Sequence, residues 1–151
     1  MSLEKSAGAV VFRKRVGKVY SHTKSFSAGV NYLLLHYKAG HWDFPKGIIE
    51  KKETLRETAK REIQEETGIK KVKFLEGFKE HIKYFYKFQG KSVFKIVTLL
   101  LVQTNQKEVK ISFEHIGFEW LSYKEALERL TFKNAKEILK KADRFIKKHK
   151  I

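Results

Sequence analysis

The sequence predicts an α/β sandwich, in which mixed β-strands pack with two or three α-helices, within one domain that spans residues 1–151. Three observations predict this class. The chain has 151 residues, which suits one compact domain. Its residues are 42% hydrophobic and 13% aromatic, enough to build an ordinary core. Segments with strand-like spacing are interspersed with segments of helical spacing, and no linker rich in Pro, Gly and Ser divides them.

The predicted strands are rich in branched and aromatic residues, which strands favour. A polar connection, Ser21–Gly29, lies between the first two. The third segment alternates only in part, so it contains one or two strands with a solvated face. Gln89 and Gly90 follow it as a tight turn. The predicted strands are Gly8–Phe12, Asn31–Tyr37, Lys71–Phe88 and Ser92–Thr104, and a further strand begins at Phe118.

Capping signals predict the helices. Thr54 and Glu57 have the spacing of a capping box, and Gly68 suits a left-handed C-terminal cap, so the first helix runs from about Leu55 to Thr67. Ser122 and Glu125 form a second capping box, within Phe118–Leu130, where a strand passes into a helix. The last helix is amphipathic, with lysines on one face and apolar residues at helical spacing on the other: Ala135, Ile138, Leu139, Ala142, Phe145 and Ile146.

Composition excludes several kinds of protein. The chain has no cysteine, which excludes disulfides and cysteine-based metal centres and fits the reducing cytoplasm, where we expect the protein. The longest apolar run, Ile96–Val102, is too short to cross a bilayer, so we expect no membrane partner. The formal net charge of +16 attracts polyanions such as nucleotides and nucleic acids. A solvated lysine-rich surface is the simpler explanation of the same charge.

The first predicted helix concentrates carboxylates on one face. At 3.6 residues per turn, Glu62, Glu65 and Glu66 fall within an arc of roughly 100°, at the edge of the face that Leu55 and Ala59 should bury. Crowded carboxylates repel one another and resist desolvation, so something must compensate them. Magnesium prefers such oxygen ligands. Basic neighbours such as Arg61 would also satisfy them, and the helix alone does not decide between the two.

Nine residues of the segment Gly47–Ile69 resemble the signature of the Nudix family at every fixed position: Gly47, Glu53, Arg61, Glu62, Ile63, Glu65, Glu66, Gly68 and Ile69. The resemblance implies the Nudix fold, a mixed β-sheet sandwiched between α-helices. It also implies a loop, helix and loop that hold divalent metal against a diphosphate. The implied activity is cleavage of a nucleoside diphosphate linked to another group.

Segments outside the signature resemble one Nudix subfamily, the asymmetrical diadenosine tetraphosphate hydrolases. The similar segments are "HWDFPKG" (His41–Gly47), "EGFKEHIKYFY" (Glu76–Tyr86), "SFEHIGFEWL" (Ser112–Leu121) and "LTFKNAKEIL" (Leu130–Leu139). This resemblance implies hydrolysis of a dinucleoside polyphosphate, with diadenosine tetraphosphate giving ATP and AMP by in-line attack of water.

The resemblance also implies a role for each matching residue. Mg²⁺, with Mn²⁺ as the alternative, would be bound by Glu62, Glu65, Glu66, Glu114 and the carbonyl of Gly47. One of Glu62, Glu66 and Glu114 would be the general base, and Arg61 would orient the carboxylates through Glu53. Phosphate would contact His41, Lys46 and Lys83, and the base would stack on Tyr84 with Phe132 as the opposite wall. Ordinary packing explains Tyr84 and Phe132 as well, and Lys83 and Glu114 have the alternative of being ordinary surface charges.

Other functions stay open at this level. An RNA 5′-end pyrophosphohydrolase of the same family would benefit from the +16 charge. A nucleotide-binding module without turnover is a second alternative, although the complete signature favours an enzyme. A nucleic-acid-binding protein with an incidental acidic helix is a third. The sequence leaves both a monomer and a homodimer open.

Overall fold

The computed structural model describes residues 2–15 and 29–151. The predicted polar connection at 21–29 lies outside the described residues except for Gly29. Along the chain the elements are β1 (Ser2–Lys14), β2 (Val30–Tyr37), β3 (Trp42–Asp43), β4 (Lys46–Ile48), α1 (Leu55–Thr67), β5 (Lys73–Phe88), β6 (Lys91–Gln103), β7 (His115–Leu121), α2 (Tyr123–Arg129) and α3 (Lys133–Lys148).

All described strands join one mixed sheet, in which β3, β2, β1, β6 and β5 lie side by side. Strand β1 pairs with β6 in parallel and with β2 and β4 in antiparallel orientation. It pairs with β4 through Ser6–Gly8 and with β2 through Phe12–Lys14, so the two partners use different parts of the same strand. Strand β7 pairs with the other edge of β2.

Helices cover both faces of the sheet, which confirms the predicted α/β sandwich. On one face, Ile63 of α1 packs in a cluster with Ala9, Val11 and Leu33 of the sheet. On the other face, α2 and α3 bury residues such as Leu139 in the larger apolar cluster. This division follows from the period of two in the strands, which sends alternate side chains to opposite faces.

The boundaries differ from the predictions in several places, and β7, for example, begins at His115 instead of Phe118. β1 extends back to Ser2 because its first residues pair with β6. The segment with partial alternation is one strand, β5, whose register against β6 shifts between Phe74 and Lys79. The predicted turn is present, with φ of 50° at Gln89 and 76° at Gly90. Strands β3 and β4 were not predicted because two or three residues carry no periodicity.

Of the helices in residues 2–15 and 29–151, none combines the length and the hydrophobicity that a membrane crossing requires.

Candidate active site

Helix α1 has the boundaries that its capping residues predict. The Thr54 hydroxyl accepts a hydrogen bond from the Glu57 N–H at 3.1 Å, and the Glu57 carboxylate accepts one from the Thr54 N–H at 3.0 Å. Gly68 ends the helix in the left-handed conformation, with φ of 74°. The buried Ile63 fixes the rotation of the helix on the sheet, so that Glu62 and Glu66 lie along its border.

Strand β4 brings Gly47 against the middle of α1. A Cβ on residue 47 would lie 2.1 Å from Cδ and from Oε1 of Glu62, far inside contact distance. The Glu62 carboxylate therefore occupies the space that a side chain at position 47 would fill, which is why a glycine is needed there. The Gly47 backbone and the Glu62 carboxylate are thus close enough to bind the same ligand.

Arg61 links the carboxylates of this region. Its Nε donates to Glu53 Oε2 at 2.7 Å and its Nη2 donates to Glu53 Oε1 at 3.0 Å, a two-pronged contact. Its Nη1 lies 2.8 Å from Glu62 Oε1 and 3.3 Å from Glu65 Oε2. Nη2 also donates to the Ile48 carbonyl of β4 at 3.0 Å. The Arg61 guanidinium lowers the pKa of Glu53 to about 2.

Glu66 is buried, with 2% of its surface exposed. Its Oε1 accepts a hydrogen bond from the Lys46 N–H at 3.1 Å. Its Oε2 lies 3.0 Å from Nε2 of His115 and 3.5 Å from the Tyr37 hydroxyl. Burial, and then the neighbouring Glu62 carboxylate, raises the pKa of Glu66 to about 9. Burial therefore favours the protonated form of Glu66, and a cation nearby would favour the ionised form.

The donors of this region fit a magnesium ion by their chemistry. They are hard carboxylate oxygens and a backbone carbonyl, next to a buried carboxyl group that lacks a full counter-charge. In the described parts of the chain, however, no three acidic or histidine side chains converge as a ready metal cluster. Arg61 Nη1 lies between Glu62 and Glu65, and the Glu65 side chain is 58% exposed instead of lying at the buried edge.

An aromatic wall lies beside Glu66. The His41 ring stacks on Tyr37, with centroids 4.5 Å apart and planes 7° from parallel, and Phe132 lies 5.4 Å from His41. Phe132 is 46% exposed, so it is not part of the core. Burial lowers the pKa of His41. The structure therefore brings His41 and Phe132 together next to the carboxylates, in a position to contact a common ligand.

Two further predicted residues lie at this wall or beside it. Lys46 makes an ion pair of 2.7 Å with Asp43, whose side chain is 4% exposed. The Glu114 carbonyl accepts a hydrogen bond from the Lys38 N–H at 3.1 Å. Burial is the main cause of the raised pKa of both Tyr37 and Glu66, and the negative charge of Glu114 adds to it.

Among the described residues, neither Lys83 nor Tyr84 makes a hydrogen bond or ion pair with the carboxylate cluster, and the two side chains lie apart from each other. As neighbours in the regular part of β5 they point to opposite faces of the sheet. Tyr84 is 36% exposed, and its only ring contact among the described residues is with Tyr86, at 6.2 Å. No ring contact joins Tyr84 to Phe132 among the described residues, and the base-binding slot between them stays a prediction.

Three residues for which the sequence predicted no catalytic or binding role touch or support the candidate site. The Tyr37 hydroxyl donates to the Phe44 carbonyl at 2.8 Å and lies over Glu66. His115 contacts Glu66, and its Nδ1 lies 3.0 Å from the Ser112 hydroxyl. Asp43 holds the Lys46 amine. Tyr37 is a polar residue at the end of the apolar strand β2. That position was the one signal in the sequence that could have identified a residue of this group.

Comparison with known proteins identifies the class to which this fold and site belong. The model of the NUDIX domain matches residues 4–142. The chain therefore belongs to the Nudix family, and it is a hydrolase that acts on a phosphoric anhydride.

Several of the similar proteins share one name. The bis(5′-nucleosyl)-tetraphosphatase [asymmetrical] of Sus scrofa is 33% identical over 146 residues, which cover 94% of this chain and 95% of that protein. The protein of the same name from Caenorhabditis elegans is 30% identical over 145 residues, covering 94% of this chain and 96% of that protein. The crystal structure of a C. elegans Ap4A hydrolase binary complex superimposes with a TM-score of 0.74 and 26% identity, over 96% of this chain and 98% of that one.

Proposed function

We propose that the protein hydrolyses diadenosine tetraphosphate to ATP and AMP in a reaction that requires Mg²⁺, with Mn²⁺ as a substitute. The observation that carries the proposal is the contact between Gly47 and Glu62, where a Cβ would lie 2.1 Å from the carboxylate. Strand β4 and helix α1 both belong to the complete Nudix signature. In that contact they bring together Gly47 and Glu62, whose carbonyl and carboxylate would bind the same cation. The similarity over the whole length of proteins named for asymmetrical cleavage of tetraphosphates supports the choice of substrate.

The chain would hold the metal through four carboxylates and one carbonyl: Glu62, Glu65, Glu66, Glu114 and Gly47. When bound, the cation would neutralise phosphate charge and acidify a water molecule. Arg61 would keep Glu62 in place through its two-pronged contact with Glu53. For Glu62 and Glu65 to bind the cation together, Arg61 Nη1 must move from between them.

One of Glu62, Glu66 and Glu114 would take the proton of the attacking water. Glu66 lies in the setting with the least water, and burial raises its pKa to about 9. A cation nearby would favour its ionised form and so make it a ligand or a base at neutral pH. The water would attack in line with the leaving phosphate oxygen, so no covalent intermediate is required.

The wall formed by Tyr37, His41 and Phe132 would orient the substrate. The half-buried His41 and the amine of Lys46 would contact phosphate oxygens, and the exposed Phe132 ring would stack on one adenine. Tyr84 is proposed as the second wall for that adenine, and Lys83, on the other face of the sheet, as a contact of a more distant phosphate. Asp43 keeps the Lys46 amine at the wall.

The proposal is tested by a substrate panel with Mg²⁺ in ¹⁸O-labelled water, with products read by mass spectrometry. Diadenosine tetraphosphate should yield ATP and AMP, with the label on one product only. The variant Glu66→Gln should lose most activity and keep its fold, whereas Glu137→Gln, on the surface of α3, should match the unaltered protein. Hydrolysis by Glu66→Gln at the unaltered rate would rule out its assignment as a metal ligand or base.

The net charge of +16 favours a second candidate, removal of pyrophosphate from an RNA 5′ end. RNA hydrolysis would then fall steeply as salt increases, because many phosphate contacts release counterions. The small dinucleotide would be a poor substrate in the same panel.

A further inference from the structure

At the open end of β1, β5 and β6, one face of the sheet is left uncovered by the described residues. We call this surface the aromatic platform, and define it by an apolar row of Leu3, Phe85 and Phe94 with the lysines Lys5, Lys83 and Lys87 around it. It lies on the same face as α1, because β1 sends Ala9 and Val11 to that face and alternation continues to Ala7, Lys5 and Leu3.

The strand registers fix the rows of the platform. Leu3 pairs with Phe94, and Phe94 pairs with Phe85, so these three side chains stand side by side across three strands. One step along, Lys5, Ile96 and Lys83 form the next row. On the outer side, Lys87 pairs with Ser92. The platform is therefore an apolar strip with cations on both sides.

The apolar strip is exposed. Phe85 stacks on Phe94, with centroids 4.7 Å apart and planes 30° from parallel. Phe85 is nevertheless 64% exposed and Leu3 is 56% exposed. Helix α1 packs farther along the same face, over Ala9 and Val11, and leaves this end open. An aromatic ring held flat by a stacked partner and open to solvent has one free face for a further ring.

The charges around the strip select the chemistry of its ligand. No acidic residue belongs to the platform rows, and Glu4 of β1 points to the opposite face, where it pairs with Lys95 at 2.8 Å. Lysines together with exposed aromatic rings on a sheet surface are the combination that binds single-stranded nucleic acid: the bases stack on the rings while the cations contact phosphates. A duplex does not offer its base faces to such a surface.

We propose that the aromatic platform binds single-stranded nucleic acid, with a base stacked on Phe85 and with Lys5, Lys83 and Lys87 contacting the phosphates. The platform begins close to the candidate active site, because the Lys5 row is two residues, roughly 7 Å, from the Ala7 row that pairs with Gly47. The binding does not depend on hydrolysis, and the proposal stands whichever nucleotide the enzyme cleaves.

The test is fluorescence anisotropy with labelled twelve-nucleotide oligo(U) and oligo(dT), and with a duplex of the same length, in the absence of divalent metal. Phe85→Ala is compared with Phe88→Ala. The two phenylalanines are exposed to a similar degree, 64% and 59%, on the same strand, but they point to opposite faces. Phe85→Tyr, which keeps a flat ring, is the conservative variant, and thermal melts show that each variant is folded.

Phe85→Ala should weaken binding of both single strands about 5- to 150-fold, the effect of losing one stacked base. Phe88→Ala and Phe85→Tyr should bind as the unaltered protein does. Lys87→Ala should lower the slope of log affinity against log salt by about 0.7. Hydrolysis of diadenosine tetraphosphate by Phe85→Ala should be unchanged, which keeps this test separate from that of the proposed activity.

Three results would overturn the proposal. One is that Phe85→Ala and Phe88→Ala bind the single strands equally well, and that affinity falls only when the lysines of α3 are replaced. The second is tighter binding of the duplex than of either single strand. The third is sedimentation that shows a dimer at assay concentration that Phe85→Ala converts to a monomer, because the platform would then be covered by a second copy of the chain.

Discussion

Replacing Gly47 by alanine tests the geometry of the candidate site with a single methyl group. A Cβ at position 47 would lie 2.1 Å from the Glu62 carboxylate, and ordinary contact begins at 3.4 Å, so the carboxylate must retreat by about 1.3 Å. The retreat would also stretch the bond of 2.8 Å between Arg61 Nη1 and Glu62. A displacement of about 1 Å in a reacting group costs roughly 100-fold in rate.

We therefore expect Gly47→Ala to reduce kcat for diadenosine tetraphosphate about 100-fold, with a melting temperature close to that of the unaltered protein. The fold should survive because the group that must move is the end of a side chain. Gly117→Ala is the matched control, since a Cβ there meets only the Cβ of His36 at 3.8 Å. Single-turnover hydrolysis with saturating Mg²⁺ measures the effect. Full activity of Gly47→Ala would refute the argument that Glu62 must lie against this glycine.

Three further predictions concern the contacts that hold the site and the core. Arg61→Lys should reduce kcat about 10- to 100-fold, because one amine cannot replace the two-pronged contact with Glu53 and the bond to Ile48; steady-state kinetics checks this, and unchanged kcat would contradict it. The pKa of Glu53 falls from 4.5 to about 2 on folding, so its stabilising effect is present above pH 4.5 and is lost as the pH falls toward 2. In urea unfolding, Glu53→Gln should lose less stability than the unaltered protein does when the pH is lowered from 6 to 2. Identical pH profiles of the two proteins would refute the assignment. Tyr32→Phe removes a buried hydrogen bond of 2.6 Å to Asp143 and should lower the free energy of unfolding by about 1–3 kcal/mol without changing kcat; a stability within 0.3 kcal/mol of the unaltered protein would contradict it.

Much of the helical structure could be predicted because its signals are local. The side chains of Thr54 and Glu57 bind each other's backbone, and Gly68 adopts its left-handed conformation, within a few residues of the ends that they define. Ser122 and Glu125 act in the same way at α2. Such signals need no knowledge of the rest of the chain, and both helix starts were therefore correct.

The arrangement around the carboxylates was harder to predict, because it depends on residues far apart in sequence. His115 lies next to Glu66 only because β7 pairs with β2, and that pairing has no local signal. Tyr37 reaches the same carboxyl group from the end of β2. The opposite orientations of Lys83 and Tyr84 could have been predicted, since adjacent residues in a regular strand point to opposite faces. A family pattern alone does not show which residues face each other.

The central claim is that Glu62, Glu66 and the Gly47 carbonyl together bind a divalent cation that hydrolysis requires. The most direct measurement is a Mn²⁺ titration followed by electron paramagnetic resonance, with Glu66→Gln and the surface variant Glu137→Gln in parallel. We predict that the unaltered protein and Glu137→Gln take up Mn²⁺, and that Glu66→Gln loses both Mn²⁺ and activity. Equal uptake of Mn²⁺ and equal hydrolysis by all three proteins would contradict the account.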